Sequence, residues 1–455
     1  MTMNPDAFSS QSRRSFITSA AGGLAAAALG ASAASAAGGR GAGGGGVLHF
    51  GDDQPLPKAR KRAELKEGEP IRMAVIGTGG MGTGHCNAFA NLNKSRGGNV
   101  QIVAVADPWA RNMKRAAEKL TGDWQKGVQV DTYADYTELL KRDDIHAVLV
   151  ASPEHWHAQH AIDAIAAGKD VYCEKPMTLD LKDAVRLYNV VKANPDMILQ
   201  VGTQKMALPA YHKAREMIKS GLIGQPTCSQ TSYCRNSPKG EWNYYEVNPN
   251  WQPGKDVDWD KWCGPIGKLP WDPKVLNRWR RYKKTSTGII GDLLVHVMTP
   301  LMMALEQGWP TRVTASGGHI IDKDMENHDT VNILVEFETG HQMIVMGATN
   351  NDTGLTPMIR GPKGNIEVND GSVRFIPQKP YAEEAEEQRP QLTNIGDDQD
   401  QHRLNWLQCI RTREQPASNV DMGLRVMVVV DLATRSMWEN GTWHFDPKSL
   451  SAKRG

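Results

Sequence analysis

The chain has 455 residues, with 53 Lys and Arg against 51 Asp and Glu and a formal net charge of +2. At ~100 to 200 residues per domain this length calls for two domains, each with a substantial core. A surface so close to neutral offers no field to attract nucleic acid or an anionic membrane, so composition gives no support to either partner.

The first segment reads as a targeting device. Ser12-Arg13-Arg14-Ser15-Phe16-Ile17 precedes an Ala-, Gly- and Leu-rich stretch over 18–30, and a small-residue exit follows at Ala34-Ser35-Ala36. This order resembles a twin-arginine export signal over 1–36, cleaved near Ala36, which would deliver the folded protein to the periplasm or beyond. The apolar run is too short and alanine-rich for a spanning helix of about 20 residues, so no membrane insertion is expected after cleavage. Residues 37–68, opening with the glycines of 38–46, read as a flexible linker.

Residues 69–205 read as one domain, opening on its most informative stretch. A strand at 71–76 runs into Gly77-Thr78-Gly79-Gly80-Met81-Gly82 and then into helix-forming residues over 85–92. Gly77 suits the tight turn, Gly79 lets backbone approach a pyrophosphate, and Gly82 allows close helix–strand packing. A second strand, 100–106, ends in Asp107, 25 residues beyond Gly82. A carboxylate there can accept both ribose hydroxyls and repel a 2'-phosphate, which favours NAD over NADP; Arg111 nearby leaves some room for the phosphate, and the competing reading of Asp107 is a turn residue before Pro108. Helices at 110–120, 157–167 and 181–193 then alternate with strands at 147–151, 170–173 and 198–202, the pattern of a parallel sheet covered on both faces. Two strand ends carry unusual residues: Ser152-Pro153-Glu154-His155-Trp156-His157 and Glu174-Lys175-Pro176.

Beyond 205 the alternation stops. A helix at 205–219 is followed by strand-like runs at 227–234, 313–320, 330–337, 341–346 and 365–368, with helices at 402–410 and 423–439. The Glu338-Thr339-Gly340 turn implies antiparallel neighbours. In between, Gly288 opens a helix through Leu305 on which Asp292 and His296, four apart, share a face, so that the carboxylate can orient the imidazole as a base. The alternative is a helix cap and a core histidine. Six of the 13 tryptophans fall between Trp242 and Tyr282, as sugar-stacking faces or as packing for a long insertion. Arg278, Arg280 and Arg281 could meet a substrate carboxylate or neighbouring acids.

The glycine turn, the Ser-Pro-x-His-x-His run and Glu-Lys-Pro, in this order, resemble the glucose–fructose oxidoreductase, inositol dehydrogenase and rhizopine-catabolism (Gfo/Idh/MocA) family from about Ile71 to the C-terminus. The resemblance implies an α/β Rossmann domain followed by an α+β domain, 206–455, built on an open, mainly antiparallel sheet. It implies that residues 77–82 and Asp107 hold the dinucleotide and that Ser152, Pro153, His157 and Glu174 lie on its nicotinamide side. Lys175 would sit between cofactor and substrate, and Lys175, Asp292 and His296 would form the catalytic group. Gln204, Tyr245 and Arg278 are expected to complete the substrate site. The chain has Glu154 where the family usually has Asn.

The function expected is hydride transfer to and from a sugar, polyol or glycoside carbon in an exported enzyme that holds its cofactor tightly, because free NAD is not expected outside the cytoplasm. Alternatives are a redox-neutral NAD-dependent glycosidase and a carbohydrate-binding protein without catalysis. The six cysteines show no ligand spacing, so no metal site is expected; Cys228 and Cys234 read as buried thiols or a pair across a bend. Edge-exposed antiparallel strands favour a homo-oligomer.

Overall fold

The computed structural model describes residues 46–51, 55–95 and 97–455. The expected export signal, 1–36, lies outside the described residues, as do 37–45 of the expected linker. The linker expectation is corrected from Val47 onward. Val47–His49 forms a strand, β1, and Phe50 is buried. Further on, Asn194 grips the backbone of Pro57 and Ala59. Once the glycine run ends, apolar side chains return, and burying them fixes the segment.

Six parallel strands build the first sheet: β2 (Ile71–Ile76), β3 (Val100–Ala106), β4 (Asp131–Tyr133), β5 (Ala147–Val150), β6 (Asp170–Cys173) and β7 (Leu199–Val201), in the order β4-β3-β2-β5-β6-β7. β5 and β6 are buried at every position, as expected of strands covered on both faces. The covering helices are α1 (Gly80–Ser95), α2 (Ala110–Lys119), α3 (Tyr136–Leu140), α4 (Glu154–Ala166) and α5 (Leu181–Ala193). Strand order reverses between β2 and β5, and a crevice opens beyond the carboxyl ends of those two strands, where such sheets bind ligands.

The second sheet has ten strands. β8 (Cys228–Cys234), β9 (Pro310–Gly318), β10 (Thr330–Phe337), β11 (Gln342–Ala348), β12 (Met358–Arg360), β13 (Gly364–Asn369), β14 (Ser372–Pro377), β15 (Trp443–Asp446) and β16 (Ser451–Arg454) join β1 in the order β1-β16-β15-β9-β10-β11-β8-β12-β13-β14. Among the described residues of this sheet, only the β8–β11 pair is parallel. Along β10, Val331, Ile333 and Val335 point inward while Asn332 and Leu334 face out, the alternation of a sheet packed on one face. Cys228 and Cys234 sit at opposite ends of β8, about 20 Å apart at strand rise, so the possible pairing is corrected; all six cysteines are free.

Helices α6 (Pro209–Lys219), α7 (Trp259–Cys263), α8 (Pro273–Asn277), α9 (Val295–Leu305), α10 (Asp398–Thr412) and α11 (Val420–Glu439) complete this half. α11 packs against β9 and β15 on one side and against α5 and β7 on the other, so one apolar core runs through both sheets. Two expected helices are interrupted. The one expected from 205 is a single 3-10 turn at Gln204–Ala207 followed by α6, because Pro209 can begin a helix but cannot continue one from behind. The one expected from Gly288 winds first as a π turn over Ile290–Leu294 before α9 begins.

Candidate active site

The glycine turn follows β2 directly. Gly77 has φ of +87°, and a Cβ there would lie 2.5 Å from Ser152 N; one on Gly82 would lie 1.9 Å from Gly77 O. At Gly79 and Gly80 nothing lies within 4 Å of that position, so backbone N–H groups at the start of α1 can be approached by a phosphate. Asp107 clamps the turn. Its Oδ2 accepts from Thr78 N at 2.7 Å and Thr78 Oγ1 at 3.1 Å, and its Oδ1 accepts from Trp109 N at 2.8 Å. Burial raises its pKa against these bonds. Arg111 turns away, its guanidinium over the rings of Trp109 and Trp251.

Gly77, Gly79, Gly80, Met81 and Asp107 line a cavity of about 620 Å³ that also reaches Ser152, Pro153, His157, Glu174 and Lys175. Size, open glycines and an acid at the end of β3 fit a dinucleotide. His157 ties the two strand-end turns together, its ring nitrogens 2.8 Å from Ser152 O and 2.7 Å from Pro176 O.

The opposite wall comes from the aromatic insertion. Asp258 N donates to Pro108 O at 2.9 Å, and both His155 Nε2 and Trp156 Nε1 reach Trp262 O, at 2.9 and 2.8 Å. Lys261 pairs with Asp135 at 3.2 Å. Trp109, Trp251, Trp259 and Trp262 form a small separate core. The sugar-stacking expectation is therefore corrected for three of the six tryptophans: Trp251, Trp259 and Trp271 pack on one another or on Trp109, whereas Trp262 and Trp279 line the larger cavity and Trp242 the smaller one.

A smaller, polar cavity of about 280 Å³ adjoins it, sharing Met81, Glu174, Lys175, Tyr245 and Arg280. Here Lys175 Nζ donates to Asp292 Oδ1 at 2.8 Å and to Asp292 O at 2.9 Å. Arg280 Nε donates to the same Oδ1 at 2.8 Å. Burial works to raise the Asp292 pKa, but Arg280 and Lys175 overcome it and hold the carboxyl well below the usual range. His296 faces this cavity without a bond to Asp292, and its Nδ1 is buried with no partner. The expected Asp292–His296 pairing is corrected. The Asp292 carboxylate is taken instead by Lys175 and Arg280, which converge on its Oδ1 from outside the helix. Burial, reinforced by the Lys175 charge, lowers the His296 pKa to about 3, which leaves the ring neutral at ordinary pH.

Gln204 and Tyr245 line the smaller cavity, with Tyr233, Arg235, Trp242 and Tyr244 beside them. Arg278 does not: its side chain holds Tyr245 O at 2.7 Å and Asn243 Oδ1 at 2.5 Å, bracing the insertion. Arg281 bonds Asp322 and Glu241 O, so Arg280 is the arginine of the site. Glu154 is buried and accepts from Ser286 Oγ at 2.6 Å and Thr287 N at 3.0 Å, anchoring the loop that enters the π turn. Burial raises its pKa to about 7. Glu174 accepts from His85 Nε2 at 2.7 Å; burial opposes its ionisation, but the His85 bond and the Lys175 charge hold its pKa to about 2.

Comparison with known proteins agrees with both halves. Residues 71–203 match the model of the oxidoreductase family, NAD-binding Rossmann fold, and residues 209–453 match the model of the same family's C-terminal alpha/beta domain. Inositol 2-dehydrogenase from Gluconacetobacter diazotrophicus is 35% identical over 154 residues, covering 34% of this chain and 43% of that protein. The enzyme of the same name from Pseudomonas syringae pv. syringae is 34% identical over 174 residues, covering 38% and 48%. The chain thus spans less than half the length of these curated relatives. A solved structure of levoglucosan dehydrogenase in complex with NADH and L-sorbose shares the fold with a TM-score of 0.63 at 20% identity, over 82% of this chain and 98% of that one.

Proposed function

Because the chain belongs to the oxidoreductase family that joins an NAD-binding Rossmann fold to a C-terminal alpha/beta domain, we propose that it is an NAD-dependent oxidoreductase acting on a hydroxyl of a sugar, polyol or glycoside. One observation carries this reading: the dinucleotide-sized cavity and the polar cavity meet at Lys175, and His296 lines the second of them.

When bound, the dinucleotide supplies a carbon that accepts and returns a hydride. The chain's own residues handle oxygen and proton. Lys175 Nζ, held by Asp292, donates to the substrate oxygen and stabilises negative charge as it develops. His296, kept neutral, takes the hydroxyl proton on a ring nitrogen. Arg280 keeps Asp292 ionised so that Lys175 stays in place. Tyr233, Tyr244 and Tyr245 offer flat faces to a sugar ring, with Gln204 and Arg235 as hydroxyl partners. Asp107 at the ribose end, with Arg111 committed to tryptophan faces, favours NAD over NADP.

We further propose that the cofactor is loaded before export and retained. The Arg13-Arg14 segment supports export of folded cargo, and the insertion wall supports retention. An enzyme that keeps its cofactor must be reset in place, by a second carbohydrate or by a redox-neutral cleavage of one glycoside.

The test is to purify the exported protein, identify any dinucleotide that accompanies it, and screen sugars and aryl glycosides for nicotinamide reduction and aryl release. Lys175→Ala and His296→Ala should each lower turnover by about a hundredfold or more while retaining dinucleotide. Full activity in both variants, or sugar binding with neither reaction, would overturn the proposal.

A further inference from the structure

Behind the Glu-Lys-Pro turn lies a line of buried polar groups that the proton-transfer scheme leaves unused. Glu174 Oε1 sits 2.7 Å from His85 Nε2, and Arg403 Nε donates to His85 Nδ1 at 3.1 Å. The three side chains come from the end of β6, from α1 and from α10, and all are buried. Arg403 is itself held by Asp400 Oδ1 and Gln399 Oε1, both at 2.9 Å. A guanidinium has donors only and does not release a proton. His85 must therefore present a lone pair at Nδ1, which leaves its single proton on Nε2, aimed at Glu174.

We propose that Arg403 and His85 are positioning residues of the active site: Arg403 fixes the Nε2–H tautomer of His85, and His85 thereby holds Glu174 as an anion beside Lys175 where the two cavities meet. An isolated imidazole–carboxylate pair could take up a further proton, and a buried carboxylate tends to do so. Arg403 closes the one nitrogen at which His85 could receive it, and its charge disfavours a second positive charge on the ring. The other ionisable groups facing His85 are Tyr172 from β6, whose ring packs edge-on at 5.3 Å, and His402 from α10. Asp400 lies beyond Arg403 and Lys175 beyond Glu174. His85 also lines the smaller cavity, so its charge state is felt where ligands bind.

Two measurements decide the matter. Ring-nitrogen NMR of 15N-histidine-labelled protein, recorded without dinucleotide, should show His85 in the Nε2–H form from mildly acid to mildly alkaline pH. The Nδ1–H form, or titration of His85 within that range, overturns the proposal. The second measurement rests on the dinucleotide reading of the larger cavity. NAD affinity, read by tryptophan fluorescence, should carry no His85 step in the wild-type protein. Arg403→Met should acquire a one-proton step, binding anionic NAD about fivefold or more tightly on the acid side because His85 can now charge. Adding His85→Gln, which keeps an N–H for Glu174 but cannot titrate, should abolish the step. A folded Arg403→Met protein without the step, or a step that survives His85→Gln, also overturns the proposal. Absence of NAD binding in every protein would instead refute the cavity reading, with the NMR result still deciding the tautomer.

Discussion

The two walls of the larger cavity are built on different principles. The glycine-turn wall is backbone: Gly77 and Gly82 leave no space for a side chain, and Asp107 pins the loop through main-chain and hydroxyl donors. The facing wall is side chains, a cluster of tryptophans tied to α4 and to the end of β3 by a few hydrogen bonds. At Gly77 and Gly82 the backbone wall admits no side chain, whereas a wall of packed side chains can be loosened step by step. With a dinucleotide lying between them, the first should govern whether it binds and the second how long it stays.

The contrast can be broken most directly at Gly82. A Cβ 1.9 Å from Gly77 O forces backbone to move, and Gly82→Ala should cost about 3 kcal/mol of binding, roughly a hundredfold in the NAD dissociation constant. Calorimetric titration checks this, and unchanged affinity would mean that the turn is not the site. Glu154, where α4 meets the loop before the π turn, comes next. Its pKa is raised from 4.5 to about 7, so the folded state binds the proton more tightly than the unfolded chain. The resulting stability is complete below pH ~4.5 and is lost as pH rises through about 7, by about 3 kcal/mol at most. Denaturant titrations should show that loss in the wild type and not in Glu154→Gln; identical pH slopes would refute it. The smallest effect belongs to the facing wall. Trp156→Phe removes the bond to Trp262 O, worth about 1 kcal/mol, and should speed NAD release several-fold with little change in association, as stopped-flow fluorescence can show. An effect as large as that of Gly82→Ala would erase the distinction between the walls.

What the sequence revealed follows the same division. The parallel sheet, the glycine turn, Asp107 and Lys175 were legible because each depends on local pattern: strand, turn and helix in order, with an unusual residue at a strand end. The insertion wall was not, because its meaning depends on Trp109 and Trp156, which lie more than 90 residues before the segment they meet, and no periodicity links them. Asp292 and His296 were found, but their relation was misread, since helical spacing gives no sign that Lys175 and Arg280 claim the carboxylate. Arg280 was named beside Arg278 and Arg281, but Arg278 was chosen because an isolated run of arginines gives no sign of which one turns inward. His85 and Arg403 were passed over for a similar reason: a histidine in a helix and an arginine in another look ordinary until Glu174 is placed between them. β1 was hidden beside a glycine run whose composition suggested slack chain.

The position of α11 has a mechanical consequence. Enzymes whose cleft lies between two separately cored lobes admit large ligands by hinge rotation, the lobes swinging apart about a flexible joint. Here a 20-residue helix is shared by both sheets, and swinging them apart would tear it from one of its two beds. The tryptophan-bearing insertion is instead tied to the first sheet's side by a few hydrogen bonds, so passage in and out should follow local peeling of those bonds rather than a bending of the whole body.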